Sequence, residues 1–360
     1  MRRYGRWRTA LRCPMKHIRP LVLAAAVPLT AGCAVGVVVN GAKQPLVIAE
    51  QGDFYVGGRV VASPATSSSG EGDPNPGNVV INQMYVQYQI PAKREYKLPV
   101  IMVHGSWHTG KTYGSTPDGR EGWGTYFVRK GFATYIVDDV NRGRSSYDMT
   151  PMNEVRLGMA PKEKLPPISQ RSNESAWKTF RIGPSVGVPH PNTQFPKEAA
   201  EQYFAQLTDQ YRYPDENTKR VAALVALLDK IGPVILMVHS SSGPVGWEAT
   251  LARLQLVKGV VSVEPILLNT FKDFKALTPV PVTVIRGDFD PPQVISQAKE
   301  FIAGLHSAGG SGTFMHLPGM GITGNSHMLM MERNNLQIAD LIINWIDRNV
   351  AGVKAGGAGR

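Results

Sequence analysis

The sequence predicts an α/β fold built on a mostly parallel open sheet, with helices on both faces and a cap insertion. Short apolar runs recur along the chain, each with the composition of a strand that is buried on both faces. Helical periodicity lies between most of these runs, as in Val221, Leu224, Val225 and Leu228. Strands that alternate with helices favour a parallel sheet with right-handed crossovers. The runs are LPVIMVH, FATYIVDD, PVILMVH, GVVSVE, PVTVIRG and TFMHLPG.

Two further strands are predicted ahead of the first buried run. The stretches DFYVGGRVVAS and NVVINQMYVQYQI are typical of strands, and the segment between them is rich in Pro, Gly and Ser, which favour turns. A last helix is expected near the end of the chain, where apolar residues again repeat at helical spacing. Its apolar positions are Leu336, Ala339, Ile343 and Ile346.

One long interval, from Ser145 to about Asn217, breaks the alternation of strand and helix. It contains turns and two helical pieces, the second predicted over residues 197–211. An insertion at this point predicts a cap over the C-terminal edge of the sheet. A packed side domain with no role in substrate choice is the alternative. The face of the second helical piece comprises Ala200, Tyr203, Phe204, Leu207 and Tyr211.

The first 32 residues have the pattern of an export signal. They contain seven Lys or Arg and no acid, followed by a short apolar run that ends in small residues before Cys33. The run is shorter than the roughly 20 apolar residues of a spanning helix. Its ending, LTAGC, resembles a bacterial lipoprotein box, in which Cys33 would be lipidated and anchor the exported protein to the membrane on the periplasmic side. A plain secretory signal is the alternative.

The predicted organisation follows from these segments. The leader carries +7 of the formal net charge of +11, so the basic balance does not indicate a nucleic-acid partner. The only cysteines, Cys13 and Cys33, lie in or at the end of the leader, so the folded part has no disulfide. The segments are a signal peptide (1–32), a tether (33–52), the first part of the core (53–145), the cap (146–217), the second part of the core (218–350) and a flexible tail (351–360).

Residues 104–112, HGSWHTGKT, allow two interpretations. They match the phosphate-binding pattern G-x-x-x-x-G-K-[ST], but a His-Gly pair after a strand is also where acyl-transfer enzymes hold an oxyanion donor. A phosphate loop runs directly into a helix, whereas glycines and a proline follow Thr112 and the next helix is expected near Arg120. The sequence therefore favours the oxyanion turn over a nucleotide hydrolase. His104 and His108 lie on this glycine-rich loop rather than on a helix face, so neither a metal nor another cofactor is expected.

The stretch VILMVHSSSGPVGW has the strand–turn–helix context of a nucleophile elbow, usually written G-x-S-x-G. Counting strand residues from Val234 puts Ser240 on the turn, although Val238 and Ser242 stand where the pattern has small glycines. An acid and then a histidine are expected after the nucleophile. Glu264 in VSVEP and His327 in GNSHM occupy those places at the C-terminal edge of the sheet.

Residues from about Gln83 to Val350 resemble a bacterial carboxylesterase family of the α/β-hydrolase superfamily. The resemblance rests on TPDGREGW, YFVRKG, RGRS, NTQFP, HSSSG, VSVEP and the long stretch GNSHM…RNNLQIADLIINWI. It implies an α/β-hydrolase fold with Ser240 as nucleophile, Glu264 as acid after strand 6 and His327 as base. The family is otherwise known for adjacent cysteines at the oxyanion turn, where this chain has Ser106 and Trp107. A main-chain donor does not need them, so the N–H of Ser106 can still serve.

These observations predict a serine carboxylesterase acting on small to medium esters through an acyl-enzyme intermediate. The main-chain N–H groups of Ser106 and Ser241 would bind the oxyanion, and Trp107 would line the substrate pocket. Asp290 in VIRGDFDPP is a second candidate for the acid, because many α/β hydrolases place it after that strand. A hydrolase-fold lipoprotein that binds without catalysis is the alternative function.

Overall fold

The computed structural model of the protein describes residues 44–64, 76–212, 215–266 and 268–355. The predicted signal peptide, Cys33 and most of the predicted tether lie outside these residues. So do most of the turn-rich segment after the first strand and the last five residues of the chain.

An eight-stranded sheet forms the centre of the described part, in the order β1-β2-β4-β3-β7-β8-β9-β10. The two pairings at the start of this order are antiparallel, and the remaining five are parallel. All of the strands predicted from apolar runs are present. The strands of this sheet are β1 (Ile48–Ser63), β2 (Gly77–Pro91), β3 (Val100–Val103), β4 (Thr134–Asp138), β7 (Val234–His239), β8 (Val257–Val263), β9 (Val282–Arg286) and β10 (Gly312–His316).

Helices cover both faces of the sheet because successive strand residues point to opposite sides. In β3, Val100 and Met102 belong to one buried apolar cluster, while Ile101 and Val103 belong to another. No helix among the described residues is both long and apolar enough to cross a membrane. The helices outside the cap are α1 (Lys111–Gly114), α2 (Trp123–Arg129), α6 (Glu216–Ile231), α7 (Ser242–Ala252), α8 (Phe274–Leu277), α9 (Pro292–Ser307) and α10 (Asn335–Asn349).

The predicted cap segment contains short helices and a two-stranded sheet. Its second helical piece is shorter than predicted: α5 ends at Ala205, and Tyr211 lies in a strand instead. The reason is tertiary, because Tyr211 pairs with Ile168 and the N–H of Thr208 donates to the carbonyl of Trp107. The cap elements are α3 (Thr150–Arg156), β5 (Ile168–Ser169), α4 (Asn173–Thr179), α5 (Ala200–Ala205) and β6 (Gln210–Tyr211).

Short 3₁₀ turns complete the described secondary structure. They are Gly143–Ser145, Lys162–Lys164, Lys197–Ala199, Leu268–Thr270, Leu317–Met320 and Leu329–Met331.

Both predicted ends are more ordered than expected where the structure describes them. Strand β1 begins at Ile48, so the last residues of the predicted tether pair with β2 instead of forming a linker. At the other end, the N–H of Ala355 donates to Glu95 and the carbonyl of Val353 accepts from Lys97. The predicted flexible tail therefore starts as an extended segment held by main-chain hydrogen bonds.

Candidate active site

Ser240 lies on a tight turn between β7 and α7. Its φ is +54°. This conformation is energetically unfavourable for any residue other than glycine, and functional sites often retain it. The N–H of Ser240 donates to the carbonyl of Val263, and its own carbonyl accepts from Gly243 at 3.1 Å. These bonds fix the turn to the neighbouring strand β8 and to the start of the helix.

The two departures from the usual elbow pattern are both accommodated by packing. Val238 replaces the first glycine, and Gly246 on α7 faces it: a Cβ built on Gly246 would come within 2.6 Å of the Val238 side chain. Ser242 replaces the second glycine. Its buried Oγ accepts from the N–H of His239 and lies 3.0 Å from the carbonyl of Val103. The side chain of Ser242 is therefore engaged in main-chain hydrogen bonds within the turn and does not take the place of the Ser240 side chain.

The loop after β3 passes directly beside Ser240. A Cβ on Gly105 would lie 2.8 Å from the Cβ of Ser240, so only glycine fits there. The next residue, Ser106, has a main-chain N–H that makes no hydrogen bond within the described residues, and the same holds for Ser241. Two unpaired N–H groups beside a candidate nucleophile are what an oxyanion site requires.

Trp107, the predicted pocket residue, is held on the cap side of this loop. Its φ is +58°, its N–H donates to the side chain of Gln210, and its indole N–H donates to Ser169. The guanidinium groups of Arg171 and Arg212 lie over its ring, at 3.9 Å and 5.1 Å from the centroid. The indole is thus mostly buried between the loop after β3 and the two-stranded sheet of β5 and β6.

Glu264 and His327 are brought into contact from distant parts of the chain. His327 Nδ1 lies 3.2 Å from Glu264 Oε2, and Glu264 Oε1 accepts the N–H of Gly287 at 2.6 Å. The His327 main chain is fixed to the cap, since its N–H donates to the carbonyl of Phe180 and the two rings stack. The imidazole therefore has one edge on the carboxylate and one face on the cap.

The residue before Ser240 in the chain, His239, contacts His327 directly. The ring of His239 lies 4.8 Å from that of His327, and His239 Nε2 donates to the carbonyl of His327 at 3.0 Å. No hydrogen bond in the described part of the chain joins Ser240 Oγ to the imidazole. Such contacts are often long without substrate and tighten when it binds. Both residues are buried: Ser240 is 7% exposed and His327 is 4% exposed.

The electrostatics of this pair favour an ionised acid and a neutral base. Burial raises the pKa of Glu264, but the guanidinium of Arg181 and the hydrogen bond with His327 outweigh burial and leave it well below its usual value. Burial, followed by the charge of Arg181, lowers the pKa of His327 to about 4. At neutral pH the imidazole is therefore uncharged and able to accept a proton.

Asp290 lies beside Glu264, in a group that we call the histidine-side cluster: Arg181, Glu264, Arg286 and Asp290. Arg181 Nη2 is 3.0 Å from Asp290 Oδ1, and Arg286 Nη1 is 3.4 Å from a carboxylate oxygen of each acid. No contact of Asp290 with His327 is present among the described residues. Burial and the charge of Glu264 raise the pKa of Asp290 to about 6. Sequence reasoning missed both arginines: Arg181 lies in no recognisable motif, and in the stretch VIRGDFDPP only Asp290 was singled out, not Arg286.

A second set of buried charges lies on the other side of the nucleophile turn. This turn-side cluster comprises Asp139, Arg142, Glu216 and Arg220. Arg220 Nε is 2.6 Å from Asp139 Oδ2, and Arg142 Nη2 is 2.5 Å from Glu216 Oε1. Arg220 Nη1 also donates to the carbonyl of Ser241 at 3.3 Å. The cluster thus links the end of β4 to the residue that follows Ser240.

The two histidines of the loop after β3 are hydrogen-bonded to main chain. His104 Nδ1 lies 2.8 Å from the carbonyl of Gly105, and its Nε2 accepts the N–H of Asp139. His108 Nδ1 lies 2.8 Å from the carbonyl of Ser106. Both side chains are buried, and within the described residues no group of three or more His, Cys, Asp or Glu could hold a metal ion.

The GKT stretch is built differently from a phosphate loop. The N–H of Gly110 donates to the carboxylate of Asp138 at 2.7 Å, so a protein anion occupies the donor that a phosphate would need. Lys111 Nζ donates to the carbonyl of Ser115. Lys111 and Thr112 lie in the single-turn helix α1, so a helical turn begins earlier than the helix expected near Arg120. A cavity of about 500 Å³ borders this stretch, but its lining does not include Ser240, Glu264 or His327.

A mostly parallel sheet with a strand–turn–helix at its centre defines the class of this protein, an α/β hydrolase. No family model matches the chain. The structure of a bacterial esterase is 40% identical, covers 86% of this chain and 98% of its own, and superposes with a TM-score of 0.80. A probable secreted lipase of a fungal species is 27% identical over 328 residues, spanning 74% of this chain and 86% of the lipase. The chain belongs to the bacterial esterase family of the α/β-hydrolase superfamily, and the predicted fold class is confirmed.

Proposed function

We propose that this esterase hydrolyses small to medium carboxylic esters with Ser240 as nucleophile, His327 as base and Glu264 as acid. The observation that supports this most is the contact between His327 Nδ1 and Glu264 Oε2 at 3.2 Å, next to a serine held at φ +54°. Membership of the bacterial esterase family supports the reaction class. Together they favour catalysis over a silent binding module.

In the proposed mechanism, Ser240 Oγ attacks the ester carbonyl while His327 Nε2 accepts its proton. Glu264 orients the ring through Nδ1 and stabilises the imidazolium. The tetrahedral oxyanion accepts hydrogen bonds from the main-chain N–H groups of Ser106 and Ser241. Loss of one such donor typically lowers turnover by about 100- to 1000-fold. The imidazolium then protonates the departing alcohol, and a water activated by His327 hydrolyses the acyl-enzyme.

Trp107 is proposed to form a fixed wall of the substrate pocket. Its ring is pinned by Ser169 and by two arginines, so it would limit the size of the bound group instead of moving aside. Turnover measured over a series of acyl and alcohol lengths, with wild type and Trp107→Ala, tests this role. An unchanged length preference in the variant would contradict it.

A fluorophosphonate probe tests the proposed nucleophile. Wild type should form one covalent adduct, on Ser240, whereas Ser240→Ala should not react and should lose ester hydrolysis by at least about 10⁴-fold. Ser241→Ala is the matched control, because its Oγ is buried without a hydrogen-bond partner in the described structure. An adduct mapped to Ser241 or Ser242, or unlabelled wild type, would contradict the assignment.

We also propose that the protein is exported and anchored to the membrane by a lipid on Cys33. The basic leader and the LTAGC ending support this, and the related fungal lipase is named as secreted. Fractionation of cells expressing wild type and Cys33→Ser tests the anchor. Wild type should sediment with membranes and the variant should not; wild type that is soluble and cleaved elsewhere than before Cys33 would refute it.

A further inference from the structure

Arg181 is the cap residue that reaches farthest into the candidate active site. Its Nη2 lies 2.8 Å from His327 Nδ1 and 3.0 Å from Asp290 Oδ1, and it contacts Glu264 Oε2. One guanidinium nitrogen therefore meets the base, the acid and the neighbouring carboxylate. No other cation in the described structure contacts His327.

The cap backbone holds Arg181 in this place. Its φ is +57°, and it lies between Phe180, whose carbonyl accepts the N–H of His327, and Ile182, whose N–H donates to Trp177. Phe180, Ile182 and Trp177 are buried in the apolar cluster shared with the sheet. The fold of the cap thus positions the guanidinium beside the imidazole.

The contact with Nδ1 is informative because a guanidinium only donates. When Nδ1 carries its proton and donates to Glu264, Arg181 can act on the ring only as a nearby positive charge. That charge opposes protonation of the imidazole, whereas the two carboxylates favour it. Arg181 and Arg286 together balance Glu264 and Asp290, so the buried cluster carries no net charge when both acids are ionised.

The charges and titratable groups around His327 come from every element packed against it. Those beyond Arg181 are Glu264 after β8, Arg286 on β9, Asp290 in the loop that follows, His239 on β7, His108 in the loop after β3, and Glu332 on the same loop as His327. His239 and His108 are buried and neutral, because burial lowers the pKa of each.

We infer that Arg181 is a positioning residue through which the seated cap keeps His327 neutral and Glu264 ionised. The inference rests on the proposed serine esterase function, and it assigns the cap a part in the chemistry as well as in covering the site. Its electrostatic direction agrees with the lowered pKa values of both groups, in which Arg181 is the largest contribution after burial.

The acid limb of the pH profile tests the inference, since a merely structural residue would not move it. In Arg181→Gln we expect kcat/KM to fall away at a pH about one unit higher than in wild type, because the imidazole loses the cation that opposes its protonation. Arg181→Lys should keep the limb close to that of wild type. Arg253→Gln, which removes a surface arginine paired with Asp229, is the matched control and should change nothing.

Two results would overturn the inference. One is a lower kcat/KM plateau in Arg181→Gln with an acid limb at the same pH as in wild type. The other is an acid limb that shifts as far in Arg181→Lys as in Arg181→Gln. Titration of His327 by ¹⁵N side-chain NMR, with its signal identified by loss in His327→Gln, gives a readout that does not need turnover. A raised His327 pKa in Arg181→Gln supports the electrostatic role even if no ester is hydrolysed. Unlabelled wild type in the probe experiment would separately refute the proposed function.

Discussion

The histidine-side and turn-side clusters have the same composition, two arginines and two carboxylates, but they act on different groups. In the turn-side cluster, Arg220 is paired with Asp139 and also donates to the side chain of Asn217 and the carbonyl of Ser241. In the histidine-side cluster, Arg181 and Glu264 both meet the Nδ1 of His327. The turn-side cluster therefore binds main chain, whereas the histidine-side cluster contacts an imidazole whose charge can change.

The histidine beside each cluster shows what this difference means. His104 has both ring nitrogens hydrogen-bonded to main chain, which fixes its proton on Nδ1 and leaves no ring nitrogen free to accept another. His327 has charged groups on Nδ1 and no hydrogen bond on Nε2 within the described structure. Buried charge contributes to reactivity only where it faces a group that gains or loses a proton; elsewhere it contributes to the order of the fold.

The largest expected effect separates the two acids of the histidine-side cluster. Glu264→Gln should lower kcat by about 10³- to 10⁴-fold, because an amide cannot hold the productive tautomer or stabilise the imidazolium. Asp290→Asn should lose less than about tenfold in kcat, since the buried Asp290 contacts the arginines and not the imidazole. Steady-state kinetics with a soluble ester measures both. The reverse ranking, with both variants folded by near-ultraviolet circular dichroism, would make Asp290 the acid.

A smaller effect, on stability and not on chemistry, is expected in the turn-side cluster. Arg220→Met leaves the fully buried carboxylate of Asp139 without its partner, which should lower the free energy of unfolding by about 3–5 kcal/mol. Urea unfolding measures this loss, and the acid limb of kcat/KM should not move.

The double variant Asp139→Asn/Arg220→Met is the control, because it removes the unpaired charge and should recover part of the stability. A loss below about 1 kcal/mol in Arg220→Met, or a shifted acid limb, would show that the two clusters do not divide their roles in this way.

The smallest expected effect is the pH dependence of stability. Burial lowers the pKa of His104 and His327 to about 4 and of His108 to about 3, so the unfolded chain binds protons at a pH where the folded chain does not. Their contribution is complete above about pH 6.5 and is lost as pH falls toward 4. Burial raises the pKa of Glu332 to about 7 and that of Asp290 to about 6, which partly offsets the loss. Urea unfolding should give at least about 1 kcal/mol less at pH 5 than at pH 7; equal values would mean that these histidines are charged in the folded protein.

The sequence by itself determined the sheet and the order of the candidate site residues. Apolar runs of strand length predict strands because a strand buried on both faces is apolar throughout, and this property can be read from its own residues alone. Ser240, Glu264 and His327 could be proposed because each follows a predicted strand, and the C-terminal ends of parallel strands meet at one edge. The helix over residues 197–211 was predicted too long, because Tyr211 pairs with a strand that lies 43 positions earlier in the chain.

Only the tertiary structure decided which charges surround the base. Arg181 lies 146 positions from His327 in sequence and 83 from Glu264, and no local pattern marks it. The same is true of Gly246, whose missing side chain gives Val238 its room on the turn. Periodicity and motifs are local properties, whereas ion pairs and steric fit depend on how distant segments pack. The sequence therefore predicted the candidate site residues, and the packing of distant segments determined the charges around them.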